Sequence, residues 1–116
     1  MIGVGCSRGE VWLVNFSPGR GSEQKGRRPA LIVQNDVGNR YASTTIVAAI
    51  TTTVKKYPVT VVLDRHEGGL GQRSMVNLSQ ILTVDKRRLE TKLGTISPDR
   101  LAEVDAALTI SLGLGE

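Results

Sequence analysis

The chain has 116 residues, of which 40% are hydrophobic and 22% are charged, a composition typical of one globular domain. Its 15 basic and 11 acidic residues give a net charge of +4, so we expect affinity for polyanions such as nucleic acid. One cysteine and one histidine exclude an internal disulfide and a zinc framework built on those ligands. We therefore predict a protein without a structural metal or a cofactor.

The amino terminus carries no targeting pattern. Residues 1–7 lack the basic start and the apolar run of a signal peptide, and no stretch of about 18 apolar residues occurs anywhere. We expect a cytoplasmic protein that does not associate with membranes. Residues 1–116 are predicted to form a single domain, with residues 1–7 as a loose extension in which Cys6 is a thiol on a frayed terminus.

Five runs rich in Val, Ile and Thr predict β-strands, separated by turn-forming residues. Between them lie Ser17-Pro18-Gly19, a turn at residues 35–39, Lys55-Lys56 and a glycine-rich turn at residues 68–71. Five short strands of this kind fit a small barrel. The predicted strands are residues 10–16, 30–34, 44–53, 58–63 and 74–84.

A helix is predicted to follow the last strand. Ser97 is a favoured helix N-cap and Pro98 is tolerated at the first helical position. Four apolar residues recur at helical spacing and form a stripe that we expect to pack on the core: Leu101, Val104, Leu108 and Leu112. Gly113 or Gly115 would end the helix.

The segment 21–36 is the most informative part of the chain, because a polar, glycine-containing loop leads an arginine into an apolar strand. Arg28 precedes Pro29, whose ring disfavours helical backbone for the residue before it, so Arg28 should be extended at the start of the strand. A guanidinium pairs bidentately with phosphate and stays charged near neutral pH. This position therefore favours phosphate binding.

Together with this segment, four others resemble the MazF/PemK family of toxins, the endoribonuclease half of bacterial toxin–antitoxin pairs. The resemblance implies a mainly β fold with flanking helices: a small SH3-like (CcdB/PemK-type) β-barrel of about five strands with a C-terminal helix, working as a homodimer. It covers nearly the whole chain after residue 7. The matching segments are 8–12, 21–36 with 38–40, 46–51, 80–89, and 103–108 with 110–114.

The resemblance also implies an activity. Members of this family cleave single-stranded mRNA at specific sequences without a metal ion, by attack of the 2′-OH, leaving cyclic-phosphate or 3′-phosphate and 5′-hydroxyl ends. A cognate MazE-type antitoxin inhibits them. Arg28 and Thr51 match the catalytic positions. The positions expected to bind RNA are Ser22, Glu23, Gln24, Lys25, Arg27 and Gln80.

The physical chemistry of these residues supports one role and leaves others open. Arg28 can stabilise negative charge on the phosphate oxygens, whereas an arginine is a poor general base, so Glu23 or a water is left to accept the proton. Thr51 could also be an ordinary strand-forming threonine. His66 lies outside the matching segments and is interpreted as a loop residue.

The chain departs from the family where many members have an arginine after Gln-Ile. Leu82 stands there, and Asn77 and Ser79 place polar side chains in the same strand region. We therefore predict no recognition sequence. Two alternatives stay open: a gyrase-poisoning toxin of the CcdB type, and a nucleic-acid-binding module without catalysis. The Arg28→Ala substitution separates them, because only an enzyme would lose cleavage.

Overall fold

The computed structural model describes residues 5–16 and 26–115. Its strands are β1 (Glu10–Asn15), β2 (Arg27–Ile32), β3 (Thr44–Thr51), β4 (Thr60–Leu63), β5 (Ser74–Asp85) and β6 (Leu89–Thr95). These six antiparallel strands form one sheet in the order β4-β5-β3-β2-β1-β6. Two helices accompany it, α1 (Asp36–Tyr41) and α2 (Pro98–Leu112), with 3₁₀ turns at Glu67–Gly69 and Lys86–Arg88.

The prediction of a mainly β fold with a C-terminal helix is confirmed. In the described part of the chain the sheet is not closed, because β4 and β6 form its two edges, a shape compatible with the barrel-like description. All five predicted strands are present, and β6 is a sixth strand that the sequence pattern did not predict. Its sequence, LETKLGT, is poor in β-branched residues and mostly solvent-exposed, so pairing with β1 determines its conformation rather than local preference.

The turn predicted at residues 35–39 was also wrong, because these residues open the short helix α1. The Asn35 side chain accepts a hydrogen bond from the Gly38 backbone N–H, which caps the first turn. The side chain of Asn39 is buried and accepts hydrogen bonds from Gln34 and Thr45. These contacts hold α1 against the start of β3. Turn-forming residue types therefore served here as helix caps and anchors.

Helix α2 begins and ends as predicted. The Ser97 hydroxyl accepts from the Arg100 backbone N–H at 3.2 Å, and Gly113 ends the helix with a left-handed φ of 68°. Val104 is buried, and two further stripe residues, Leu101 and Leu108, pack against the core. Leu112 is 57% exposed, so its predicted packing was wrong. Within the described ranges no helix is long and apolar enough to cross a membrane.

The sheet buries a different apolar cluster on each face, because alternate side chains of a strand point to opposite sides. On what we call the first face, Val11, Leu31 and Ala48 pack with Val104 of α2. The second face carries its own cluster of nine buried residues: Cys6, Trp12, Val14, Phe16, Ala30, Ile32, Val47, Val84 and Leu89.

Cys6 belongs to this second-face cluster, so the prediction of a thiol on a frayed terminus was wrong. Its burial raises the pKa of the thiol above the ordinary value, which disfavours the reactive thiolate. Apolar packing explains the position of Cys6. The division into one domain with a loose extension stays a prediction, and residues 1–4 lie outside the described part.

One ion-pair network ties the turn at Glu67–Gly69 to α2. Arg100 donates to both carboxylate oxygens of Glu67, at 2.9 Å each, and also contacts Asp64 and Glu103. The Arg100 hydrogen bonds hold the pKa of Glu67 below its ordinary value of 4.5. A carboxylate with a lowered pKa contributes stability above its unfolded pKa and loses it as pH falls through the folded value.

We expect the free energy of unfolding to decrease with acidification below about pH 4.5, and the Glu67→Gln variant to show a shallower decrease. Glutamine cannot take up a proton in this range, so its contribution is independent of pH. Urea unfolding of both proteins between pH 3 and pH 7 measures the difference. Equal pH slopes would show that Glu67 does not contribute to acid sensitivity.

Candidate active site

Arg28 is the second residue of β2 and lies at one end of the sheet. Its backbone is extended as predicted and pairs with Val14 of β1, and its side chain is exposed. It points to the second face, because it shares the alternation of the buried residues Ala30 and Ile32. The Arg28 guanidinium, which stays charged near neutral pH, therefore lies at the edge of the second-face cluster.

Thr51 lies level with Arg28 on the neighbouring strand. The β2–β3 ladder pairs Ala30 with Ala49 and Ile32 with Val47, and the same register continued by two residues brings Arg28 opposite Thr51. Both side chains therefore leave the sheet on the second face. The register places the two predicted catalytic residues together although they lie on different strands.

Pro29 explains why this end of the two strands is open. A proline has no backbone N–H to donate to a ladder, and the recorded pairing of β2 with β3 begins one residue later, at Ala30. Arg28 and Thr51 thus stand level beyond the last hydrogen-bonded pair. A phosphate group can approach between them without displacing a ladder bond.

Thr51 is the last residue of β3 and is half-buried. Its hydroxyl oxygen accepts a hydrogen bond from the Thr53 backbone N–H at 3.2 Å, which leaves the hydroxyl proton to donate elsewhere. On its other side Thr51 pairs with Met75 of β5, a buried residue. The position thus combines a fixed backbone with a hydroxyl at the end of a central strand.

Arg27 is adjacent to Arg28 but points to the opposite side of β2. Its Nε donates to Glu90 of β6 at 2.8 Å, and the two side chains are 64% and 30% exposed. An exposed ion pair of this kind contributes little to stability. RNA-binding by Arg27 stays a prediction, and a phosphate would share its guanidinium with Glu90.

Gln80 lies in an irregular part of β5. The β3–β5 register passes from Ala48 opposite Ile81 directly to Ala49 opposite Asn77, so Leu78, Ser79 and Gln80 form a bulge. The side chain of Gln80 is exposed, whereas Leu78 is buried. Leu82 packs against the second-face cluster, opposite Val47.

Four predicted RNA-binding residues, Ser22, Glu23, Gln24 and Lys25, lie outside the described residues, as does the predicted turn at Ser17-Pro18-Gly19. Their roles stay predictions. The histidine His66 occupies a turn with a φ of 80° and is exposed, which confirms its interpretation as a loop residue. Across residues 5–16 and 26–115, no three His, Cys, Asp or Glu side chains are grouped as metal ligands.

A basic cavity that was not predicted from the sequence lies between the end of β1 and the turn at Lys86–Arg88. Arg88 donates from Nη1 to the backbone oxygen of Asn15 at 3.0 Å, and Asn15 in turn pairs with Arg27. The cavity has a volume of about 400 Å³ and is lined by Asn15, Asp85, Arg87 and Arg88. In the sequence, the run of three basic residues at 86–88 was the pattern that could have indicated this cavity.

The carboxylate of Asp85 fixes the position of the Arg87 guanidinium in this cavity. Asp85 accepts from the Arg87 backbone N–H and from its guanidinium, at 2.8 to 3.1 Å, and these bonds lower the pKa of Asp85 to about 2. Asp85 is therefore ionised at neutral pH and fixes the direction of Arg87. Lys86 turns inward instead and donates to the backbone oxygen of Asn39.

Comparison with known proteins connects this geometry to a family. Residues 7–112 match the model of PemK-like, MazF-like toxins of type II toxin–antitoxin systems. An endoribonuclease from a mycobacterial species is 26% identical, with a TM-score of 0.83 over 100% of this chain and 99% of that one.

Two further solved structures are similar over most of their length. A mycobacterial endoribonuclease in complex with its cognate antitoxin is 28% identical, with a TM-score of 0.82 over 96% of this chain and 98% of that one. MazF from Deinococcus radiodurans is 32% identical, with a TM-score of 0.81 over 95% and 98% of the two chains. The similarity thus includes every strand that forms the candidate site.

Proposed function

Because the chain belongs to the family of PemK-like, MazF-like toxins of type II toxin–antitoxin systems, we propose that it is an endoribonuclease toxin that cleaves single-stranded mRNA at specific sequences. The observation that supports the proposal is the β2–β3 register, which pairs Ala30 with Ala49 and, continued by two residues, brings Arg28 opposite Thr51. Solved structures similar to this chain include endoribonucleases, which supports the same reaction class.

The proposed reaction is an internal transfer at phosphorus. The 2′-oxygen of one nucleotide attacks the adjacent phosphorus and loses its proton, the bond from phosphorus to the 5′-oxygen breaks, and the departing 5′-oxygen takes up a proton. The products are a 2′,3′-cyclic phosphate, which water can open to a 3′-phosphate, and a 5′-hydroxyl. In this proposal the reaction requires no metal ion.

Arg28 would stabilise the charge that develops on the non-bridging oxygens. Its guanidinium presents a planar pair of N–H donors that matches two phosphate oxygens, and the extended backbone of β2 fixes the origin of the side chain. A donor placed in advance contributes most where charge increases in the transition state. Arg28 is therefore assigned electrostatic stabilisation rather than proton abstraction.

Thr51 would orient the phosphate or the 2′-OH. The Thr53 N–H occupies one lone pair of its hydroxyl, so the hydroxyl proton is directed away from that bond. The group that accepts the 2′-OH proton is either Glu23 or a water in this proposal. Ser22, Gln24, Lys25, Arg27 and Gln80 would contact the RNA around the cleaved bond.

The backbone of the RNA would extend from Arg28 over Asn15 to the basic cavity at Arg87 and Arg88. Each neutralised phosphate of a single strand contributes about −0.7 to the slope of log affinity against log salt. We expect the double variant Arg87→Ala/Arg88→Ala to bind RNA more weakly and to show a slope shallower by about 1.4.

Fluorescence titrations of a labelled single-stranded RNA between 50 and 300 mM salt would measure these slopes. The matched control is Arg65→Ala, which removes an exposed charge from the turn after β4. An unchanged slope in the double variant would mean that RNA phosphates do not contact the cavity.

The proposed function is tested by incubating the purified protein with a long RNA of mixed sequence in excess EDTA, with mapping of the fragment ends. Discrete cuts that leave cyclic-phosphate or 3′-phosphate and 5′-hydroxyl ends would support it. Intact RNA would redirect the proposal to gyrase poisoning or to binding without catalysis.

An antitoxin would be the natural regulator of this site. A similar endoribonuclease is solved with its cognate antitoxin, and we propose a MazE-type partner for this chain, acting on a homodimer in the cytoplasm. An acidic, partly disordered segment could fold into the basic RNA site and exclude the substrate. A saturating antitoxin that left cleavage unchanged would contradict this competition.

A further inference from the structure

Asn77 occupies a distinctive position on β5, immediately before the bulge. It pairs with Ala49 of β3, which shares the second face with Thr51. Met75, two residues earlier on β5, pairs with Thr51 itself. Asn77 is therefore a diagonal neighbour of Thr51, and such neighbours lie roughly 7–8 Å apart in an antiparallel sheet.

The bulge fixes the orientation of the Asn77 amide. Its Oδ1 accepts two hydrogen bonds from Ser79, from the backbone N–H at 3.0 Å and from the hydroxyl at 2.6 Å. A backbone N–H can only donate, so the atom facing it must be the amide oxygen and cannot be the nitrogen. The Asn77 carbonyl is thereby occupied, and the amide N–H₂ is directed away from Ser79.

This arrangement turns an ambiguous side chain into a donor. A free asparagine can rotate by 180° and offer either its oxygen or its nitrogen, and it pairs with adenine by using both. With its oxygen held by Ser79, Asn77 can only donate to a ligand. The half-buried side chain lies on the same face as the predicted catalytic pair.

We propose that Asn77, oriented by Ser79, determines sequence specificity by donating to one RNA base beside the cleaved bond, and that it favours the keto bases guanine and uracil. This inference rests on the proposed endoribonuclease function. Guanine O6 and uracil O4 accept hydrogen bonds where adenine and cytosine present an amino group. An amino group facing the Asn77 N–H₂ would leave two donors opposed.

The inference assigns a distinct role to each residue of the pair. Asn77 touches the base, whereas Ser79 is a positioning residue that prevents rotation of the amide. Loss of the Ser79 hydroxyl removes one of the two bonds that hold the amide, so Ser79→Ala should broaden the base preference only in part, because the backbone N–H still faces the oxygen. Ser79→Thr should retain the preference. Replacing the hydrogen-bond donor of Asn77 with an acceptor should reverse the base preference.

The experiment compares the cleavage sites of the wild type, Asn77→Asp, Ser79→Ala and Ser79→Thr in one pool of random-sequence RNA, read by sequencing. In Asn77→Asp one carboxylate oxygen keeps the Ser79 bonds and the other accepts from an amino group. We expect the preferred base at one position to change from guanine or uracil to adenine or cytosine. The preference should change by on the order of 10-fold or more.

A matched control separates base reading from added charge. Ala102→Glu introduces the same negative charge at an exposed position of α2, which packs on the first face of the sheet. It should leave the base preference unchanged. Thermal unfolding of every variant shows whether it is folded.

Each outcome decides between the alternatives. Absence of cleavage by the wild type would contradict the proposed function itself. Cleavage by the wild type with an identical base preference in Asn77→Asp would overturn the inference alone, as would a wild-type site without a keto base.

If a folded Asn77→Asp does not cleave, the base preference is measured by RNA binding instead. An uncleavable 2′-deoxy oligonucleotide with the keto base and its amino counterpart, G with A or U with C, should then bind with the opposite ranking, and an unchanged ranking would overturn the inference.

Discussion

Replacing Arg28 with alanine is expected to lower the rate of RNA cleavage by about 10²–10³ while leaving the fold intact. The side chain is exposed and near the start of β2, so its removal disturbs neither apolar cluster. The substitution removes a donor whose interaction strengthens as charge develops on the phosphate oxygens. The loss should therefore be found in the single-turnover rate at saturating RNA, with little change in affinity.

Arg27→Ala is the matched control for this result. It removes the same charge from the adjacent residue, whose side chain points to the other face and pairs with Glu90. We expect Arg27→Ala to weaken RNA binding while largely retaining the saturating rate. If both variants lost the rate equally, the effect would be general charge loss, and the assignment of Arg28 would be wrong.

Replacing Gly69 with alanine is expected to cause a large loss of stability. Gly69 has a left-handed φ of 75°, and a Cβ built there would lie 1.9 Å from the backbone oxygen of Leu93. The left-handed conformation costs a residue with a side chain roughly 1–2 kcal/mol, and overpacking against a rigid neighbour adds about 1–3 kcal/mol. The turn must therefore separate from β6.

Gly71→Ala is the control for this prediction, because a Cβ there has no heavy atom within 4 Å. Thermal unfolding should show a midpoint lower by at least about 10 °C for Gly69→Ala and nearly unchanged for Gly71→Ala. Similar midpoints in the two variants would mean that the turn at Glu67–Gly69 does not need to contact β6.

Structural features that depend on residues adjacent in the chain were predictable from the sequence. The limits of α2 follow from Ser97, Pro98 and Gly113, each of which acts on the backbone beside it. The extended conformation of Arg28 follows from Pro29 in the same way. The apolar strands were recognised for the same reason, although some of their ends differ by up to three residues.

The sequence by itself thus determined the mainly β class, the C-terminal helix and the extended backbone of Arg28, because these depend on neighbours along the chain. Only the tertiary structure decided the position of Arg28 level with Thr51, the burial of Cys6 and the existence of β6. Each of these depends on which strand pairs with which and in what register. A change of one residue in that register would move Thr51 to the other face, so pairing between distant segments decides whether the site exists.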